Sequence, residues 1–257
     1  MKLRYIYLSM RDSGYGNSEY ELAFKDHCRF ISNYMSIQVR KLKFETDGTY
    51  NMIGIKLILN PGFLCKIIPE YSLNVLLTSF NKESYNLMCE IEKYEYYLSL
   101  LEEGYRIAAQ YKDIPLDDLL RLHQQFRDGD YKNEWQHKRK VCKELGIDIV
   151  LNCYFRSINF QLEMVVSDRK TKKEVVKGIV LTTPPNEVCF DYKFRDIIIG
   201  SEYLIITDFF NECRFRFLIS DILQGIFKVE EFGYDINKKE YVRIDRENDS
   251  KGWTLPT

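Results

Sequence analysis

Residues 160–181 read FQLEMVVSDRKTKKEVVKGIVL, and this stretch decides the fold class. Phe160, Leu162, Met164 and Val166 alternate with Gln161, Glu163 and Val165, the two-residue period of a strand with one buried face. The charged run Arg169–Glu174 then reverses the chain into the β-branched segment Val175–Leu181. A hairpin is expected here. Further strand candidates follow at Val188–Phe194, Tyr203–Thr207, Cys213–Ile219, Phe227–Phe232 and Glu240–Ile244. Thr183-Pro184-Pro185-Asn186 breaks the run after the hairpin. Consecutive strands joined by short turns imply antiparallel pairing across 147–245, with 246–257 as a polar tail that Trp253 would pin.

Upstream the period changes. Leu87, Ile91, Tyr94, Leu98, Leu101, Tyr105 and Ala108 are spaced by four and three residues in turn, which predicts one long amphipathic helix. Pro115 opens a second helix with Leu116, Leu119, Leu120, His123 and Phe126 on one face, and Gly129 ends it. Trp135, Lys138, Val141, Cys142 and Leu145 suggest a third helix stopped by Gly146. Residues 83–146 thus read as a helical segment.

Residues 1–82 mix strand and helix. Leu3–Leu8 reads as a strand, and Ser18 with Glu21 forms a capping-box pattern ahead of a helix bearing Leu22, Phe24, Phe30, Ile31 and Tyr34. Val39–Phe44 and Tyr50–Leu59 flank Asp47-Gly48, a hairpin signature. The expected class is therefore α+β: an N-terminal strand–helix–hairpin unit, a helical middle and a C-terminal antiparallel sheet. No linker is visible, so one continuous domain is expected.

Composition narrows the function classes. The chain has 257 residues, with 37 Lys and Arg against 38 Asp and Glu. That balance disfavours a globally basic nucleic-acid coat. Seven scattered cysteines do not pair off as a disulfide framework and suit reduced thiols in a cytoplasm. The start MKLRYIYLSM lacks the apolar core and cleavage site of a secretory signal, and no apolar run is long enough to span a bilayer. The 19 Tyr and 16 Phe fit an AT-rich coding sequence, with some left as recognition anchors.

The catalytic motifs are incomplete. Only three histidines occur, and none stands at metal-ligand spacing with a cysteine pair, so neither a metal nor a cofactor is expected. Gly14-Tyr-Gly16 follows a strand and precedes a helix but lacks the third glycine of a phosphate loop. Asp168, Asp191 and Lys193, with Glu163 or Glu187 as further acids, match the loose acid–acid–lysine pattern of a Mg²⁺-dependent nuclease. There, Asp191 and Lys193 would share one strand face.

Charge patterning carries more. Glu83–Asp113 holds seven acids and three bases, whereas Arg121–Lys143 holds seven bases and three acids. Two readings follow: neighbouring helices with complementary faces, or a docking surface for an oppositely charged partner. The docking candidates are Glu92, Glu95, Glu102 and Glu103, then Arg127, Lys132, Trp135, Lys138 and Arg139, with Tyr15 in the glycine loop. The leading expectation is a non-enzymatic cytoplasmic protein that binds another protein. Its narrower form is a bacterial immunity protein that neutralises a toxin. The alternatives are a metal-dependent enzyme acting on nucleic acid or nucleotides, and a nucleic-acid binder working through Arg121–Lys143.

Overall fold

The structure is a computed structural model that describes residues 1–11, 19–59, 71–78, 80–235 and 237–244. It is α+β and divides into two compact units. Unit 1 comprises Met1–Asn133 and Phe155–Ile158; unit 2 comprises Glu134–Tyr154 and Asn159–Thr257. The division at Asn133 falls inside the stretch read as helical.

Unit 1 opens with strand β1 (Tyr5–Arg11), helix α1 (Glu19–Leu42), and strands β2 (Met52–Ile58) and β3 (Ser72–Leu77). The sheet order is β1-β2-β3 and every pair is parallel, with Tyr5 opposite Met52 and Met52 opposite Ser72. The expected hairpin around Asp47-Gly48 is therefore absent. Parallel neighbours need a long crossover, and α1 supplies it by running on to Leu42. Phe24, Cys28, Ile31, Met35 and Val39 form its buried stripe, so Val39 belongs to the helix. The turn itself exists, with Gly48 at φ +90° and Asp47 accepting from Thr49 N at 2.9 Å. It joins a helix to a strand. Helix α1 also covers the sheet edge: Ser36 and Ser32 accept from the Ile6 and Leu8 amides of β1 at 3.0 and 3.1 Å.

The long helix is two helices, α2 (Lys82–Leu87) and α3 (Glu90–Ala108). Met88 and Cys89 are extended, and Glu92 accepts from Cys89 N at 2.7 Å to start α3. Leu87 is thus 87 % exposed and lies off the buried stripe, which begins at Tyr94. Helix α4 (Leu116–Asp128) buries Leu119, Leu122, His123 and Phe126, and Gly129 caps it as expected. The third helix is a strand. Trp135, Lys138 and Arg139 lie on β4 (Asn133–Cys142), where Trp135 and Val141 suit extended backbone.

Unit 2 contains the sheet β4-β5-β6-β7, with β5 (Ile147–Phe155), β6 (Phe160–Asp168) and β7 (Glu174–Thr183). The β6–β7 hairpin is present as read, with Phe160 opposite Thr183. Val188–Phe194, read as a strand, is instead the one-turn helix α5 (Glu187–Phe190) followed by a turn. Pro184 and Pro185 end the preceding strand, and Asn186 caps α5 by accepting from Val188 N at 3.1 Å. Phe190 and Phe194 then stack nearly parallel on Phe160, centroids 3.6 and 5.6 Å away. The second sheet has order β12-β11-β10-β9-β8: β8 (Ile197–Ile199), β9 (Tyr203–Thr207), β10 (Cys213–Leu218), β11 (Glu230–Asp235) and β12 (Glu240–Ile244). Its pairs are antiparallel, and the short helix α6 (Ile219–Leu223) links β10 towards β11.

Among the described residues no helix is long and apolar enough to cross a membrane. The six described cysteines are free thiols.

Candidate functional site

The acid–acid–lysine set does not converge. Asp168 sits in the β6–β7 turn, where its carboxylate accepts from the Lys170 and Thr171 amides and the Thr171 hydroxyl. Those bonds hold it below the usual carboxylate range. Asp191 and Lys193 follow Phe190, which stacks on Phe160 at the opposite end of β6. At roughly 3.3 Å per residue, eight strand residues separate the two ends by about 26 Å. Asp191 and Lys193 also share no strand face, because they occupy a turn. Among the described residues no group of three or more His, Cys, Asp or Glu side chains is gathered for a metal.

The charged docking candidates of unit 1 are mostly engaged at home. Arg127 clamps Glu95 through three contacts of 2.9, 3.1 and 2.9 Å, and the Tyr131 hydroxyl adds a fourth at 2.5 Å. The guanidinium holds the Glu95 carboxyl down. Glu102 pairs with Arg106, Lys132 with Asp130 at 3.1 Å, and Glu92 reaches back to accept from the amide of Cys89, the N-cap of α3. Glu103 is exposed. In unit 2, Lys138 pairs with Asp196 at 3.2 Å and Arg139 with Asp148 at 2.7 Å, while Trp135 packs on Phe160. The acidic and basic surfaces therefore do not form two helix faces. Tyr15 and Gly14–Gly16 lie outside the described residues.

A different site emerges in unit 2, around Arg214 on β10. The β9–β10 connection is a tight turn built on Asp208. Its Oδ1 accepts from Phe210 N and Glu212 N at 2.8 and 3.0 Å, and Asn211 adopts φ +66°. Its Oδ2 accepts from the Tyr241 hydroxyl of β12 at 2.5 Å. Desolvation and this acceptor push the Tyr241 phenol up to about 12. The turn thrusts Phe209 and Phe210 outward, 60 % and 69 % exposed. Tyr192 and Tyr234 stand open beside them at 48 % and 57 %. Arg195 lies over the Phe209 ring and donates to its carbonyl at 3.1 Å.

Arg214 forms the wall between two cavities. Its Nη2 donates to Glu231 at 2.7 Å, each side chain being 12 % exposed. It can lie there because residue 233 is glycine: a Cβ at that position would stand 2.9 Å from Arg214 Nη1 and 2.8 Å from Ile244 Cδ1. The larger cavity, about 610 Å³, is lined by Tyr192, Asp208, Phe210, Glu212, Arg214, Gly233, Tyr234, Tyr241 and Ile244. The smaller, about 470 Å³, is lined by Ile179–Thr182 of β7 with Lys193, Arg214, Glu231 and Ile244. Both volumes fall in the range of ligand and side-chain pockets. Burial first, and then the Arg214 charge, push the Lys193 ammonium down.

Of the described site candidates singled out in the sequence, Lys193 alone lines these cavities. The alternation of Arg214 and Arg216 with Phe215 and Phe217 was visible. So was an aromatic pair enclosed by the turn residues Asp208 and Asn211. Their convergence with Tyr192 and Tyr241 is tertiary. Comparison with protein-family models, with curated proteins and with solved structures yields no match.

Proposed function

We propose that this chain is a non-enzymatic protein-binding protein whose partner docks over the Arg214 cavities of unit 2. The observation that carries the reading is the convergence of exposed Tyr192, Phe210 and Tyr234 with Arg214 on one 610 Å³ cavity. Monomeric surfaces seldom leave several large aromatics open together. Tyr, Phe and Arg are the types enriched in interface cores and hot spots, where a cleft admits the partner's side chain and excludes water. Arg214 is already fixed by Glu231, so little side-chain freedom remains to be lost on binding. Free thiols on the described cysteines suit a reducing, cytoplasmic setting. Neutralisation of a toxin is the narrower form of this reading and adds one requirement, stoichiometric binding that inactivates the partner.

The alternatives have less support. The nuclease residues are separated along β6, and Arg127, Lys132, Lys138 and Arg139 each face an acid rather than a phosphate-sized opening. The test is capture from host lysate by the immobilised full chain, followed by mass determination of the complex. One protein at fixed stoichiometry is expected, lost in the double variant Phe210→Ala/Tyr234→Ala and kept in Glu103→Lys. Equal capture by all three proteins, or recovery of nucleic acid alone, would overturn the reading.

A further inference from the structure

Beside the smaller cavity, among the described residues, one ammonium has no counterion and one guanidinium N–H has no acceptor. Lys193 is half-buried, and among the described residues its ammonium has no ion pair or hydrogen bond. Arg214 donates from one amino group to Glu231, but its Nε–H is buried with no acceptor among the described residues. A guanidinium N–H withdrawn from water without a partner is costly, as is an ammonium withdrawn without a counterion. Both line one 470 Å³ space. We propose that this cavity is a carboxylate-binding site, in which Lys193 and Arg214 hold the anionic head of a ligand with an aliphatic body.

The walls select among anions. Among the described lining residues, Lys193 and Arg214 contribute two positive charges and Glu231 one negative, a net charge of one. That balance suits a monoanion, and a phosphate dianion would be repelled by Glu231. Ile179, Leu181 and Ile244 give the rest of the wall an apolar face, which matches a branched or straight aliphatic chain. Such a carboxylate has two sources, a free aliphatic acid or an acidic side chain or C-terminus of the docked protein. In the second form the inference rests on the docking reading; in the first it does not.

Titration calorimetry of the full chain with 4-methylpentanoate, 4-methylpentanamide and inorganic phosphate tests it. The expected result is saturable one-site binding of the acid. Binding falls at least tenfold for the amide, for phosphate, and for the acid on Lys193→Met, and returns in Lys193→Arg. Lys193→Met keeps the apolar stem, and an unchanged thermal melt checks that it folds. Equal binding of acid and amide, acid binding indifferent to Lys193→Met, or a preference for phosphate would overturn the assignment. Competition between 4-methylpentanoate and the captured partner identifies the partner's carboxylate as occupant; simultaneous binding identifies a free acid. Acid binding without any capturable partner sinks the docking reading alone. Capture without acid binding sinks this site alone.

Discussion

The α3–α4 face of unit 1 and the Arg214 face of unit 2 are built from the same residue types, yet they handle charge in opposite ways. On α3 and α4 three carboxylates meet a cation within reach: Glu95 with Arg127, Glu102 with Arg106, Asp118 with Arg121. The aromatic neighbours are turned inward, with Tyr94, Tyr97 and Tyr105 buried. Around Arg214, Tyr192, Phe210 and Tyr234 are exposed, and among the described residues one ammonium has no counterion and one guanidinium N–H has no acceptor. Satisfied polar groups make a structural surface, and unsatisfied ones beside open aromatic rings make a surface that awaits a ligand. The richest charge pattern in a sequence can thus mark the part of a molecule that has least left to offer.

The largest test strikes the floor of the Arg214 face. Phe160→Ala removes the ring on which Phe190 and Phe194 stack, the two residues that flank Tyr192 and Lys193. Urea unfolding should show a loss of about 3–5 kcal/mol. If stability held, the stack would not be what seats the site. Next comes an acid test of unit 1. His123 is 1 % exposed, both its ring nitrogens lack partners among the described residues, and Tyr105 packs against it with its own hydroxyl unmet. Desolvation, aided by Arg127 against the opposing pull of Glu102 and Glu95, lowers its pKa to about 4. A depressed folded pKa means that the unfolded chain takes up the proton first. Stability is therefore full above the unfolded value near 6.5 and declines as pH falls towards 4, by about 3 kcal/mol. Unfolding curves of His123→Leu across that interval should lack the decline, and a decline of equal size would refute the assignment.

Smaller effects sharpen the contrast further. Phe210→Ala and Tyr234→Ala should each weaken partner affinity at least tenfold, about 1.4 kcal/mol, with stability unchanged within about 0.5 kcal/mol. Glu95→Gln should do the reverse. Breaking the partly exposed Arg127 clamp should cost about 1 kcal/mol of stability, small because water screens the pair, and leave affinity untouched. A Glu95→Gln variant that folds normally but loses its partner would exchange the roles of the two faces.

The elements legible in the sequence were those whose information is local. The β6–β7 hairpin declared itself because alternation and a charged turn lie within 22 consecutive residues. Helix α4 did so through its stripe and Gly129. The errors share a different cause. Asp47-Gly48 makes a real turn, but whether it joins two strands or a helix and a strand depends on the parallel pairing of β1 with β2, 47 positions apart. Trp135, Lys138 and Val141 have a helical spacing by accident, and β4 is set by its neighbour β5. The Arg214 site was illegible for the same reason. Lys193, Arg214 and Tyr241 come from a turn, β10 and β12, and no local pattern distinguishes an exposed tyrosine from a buried one.

The most direct measurement of the central claim is site-specific photocrosslinking in the native host. p-Benzoylphenylalanine would stand in place of Phe210 in one protein and of Glu103 in another. A single protein adduct from position 210 with none from position 103 is the outcome the account predicts. An adduct from position 103 with none from 210 would contradict it and move the partner to the charged face of unit 1.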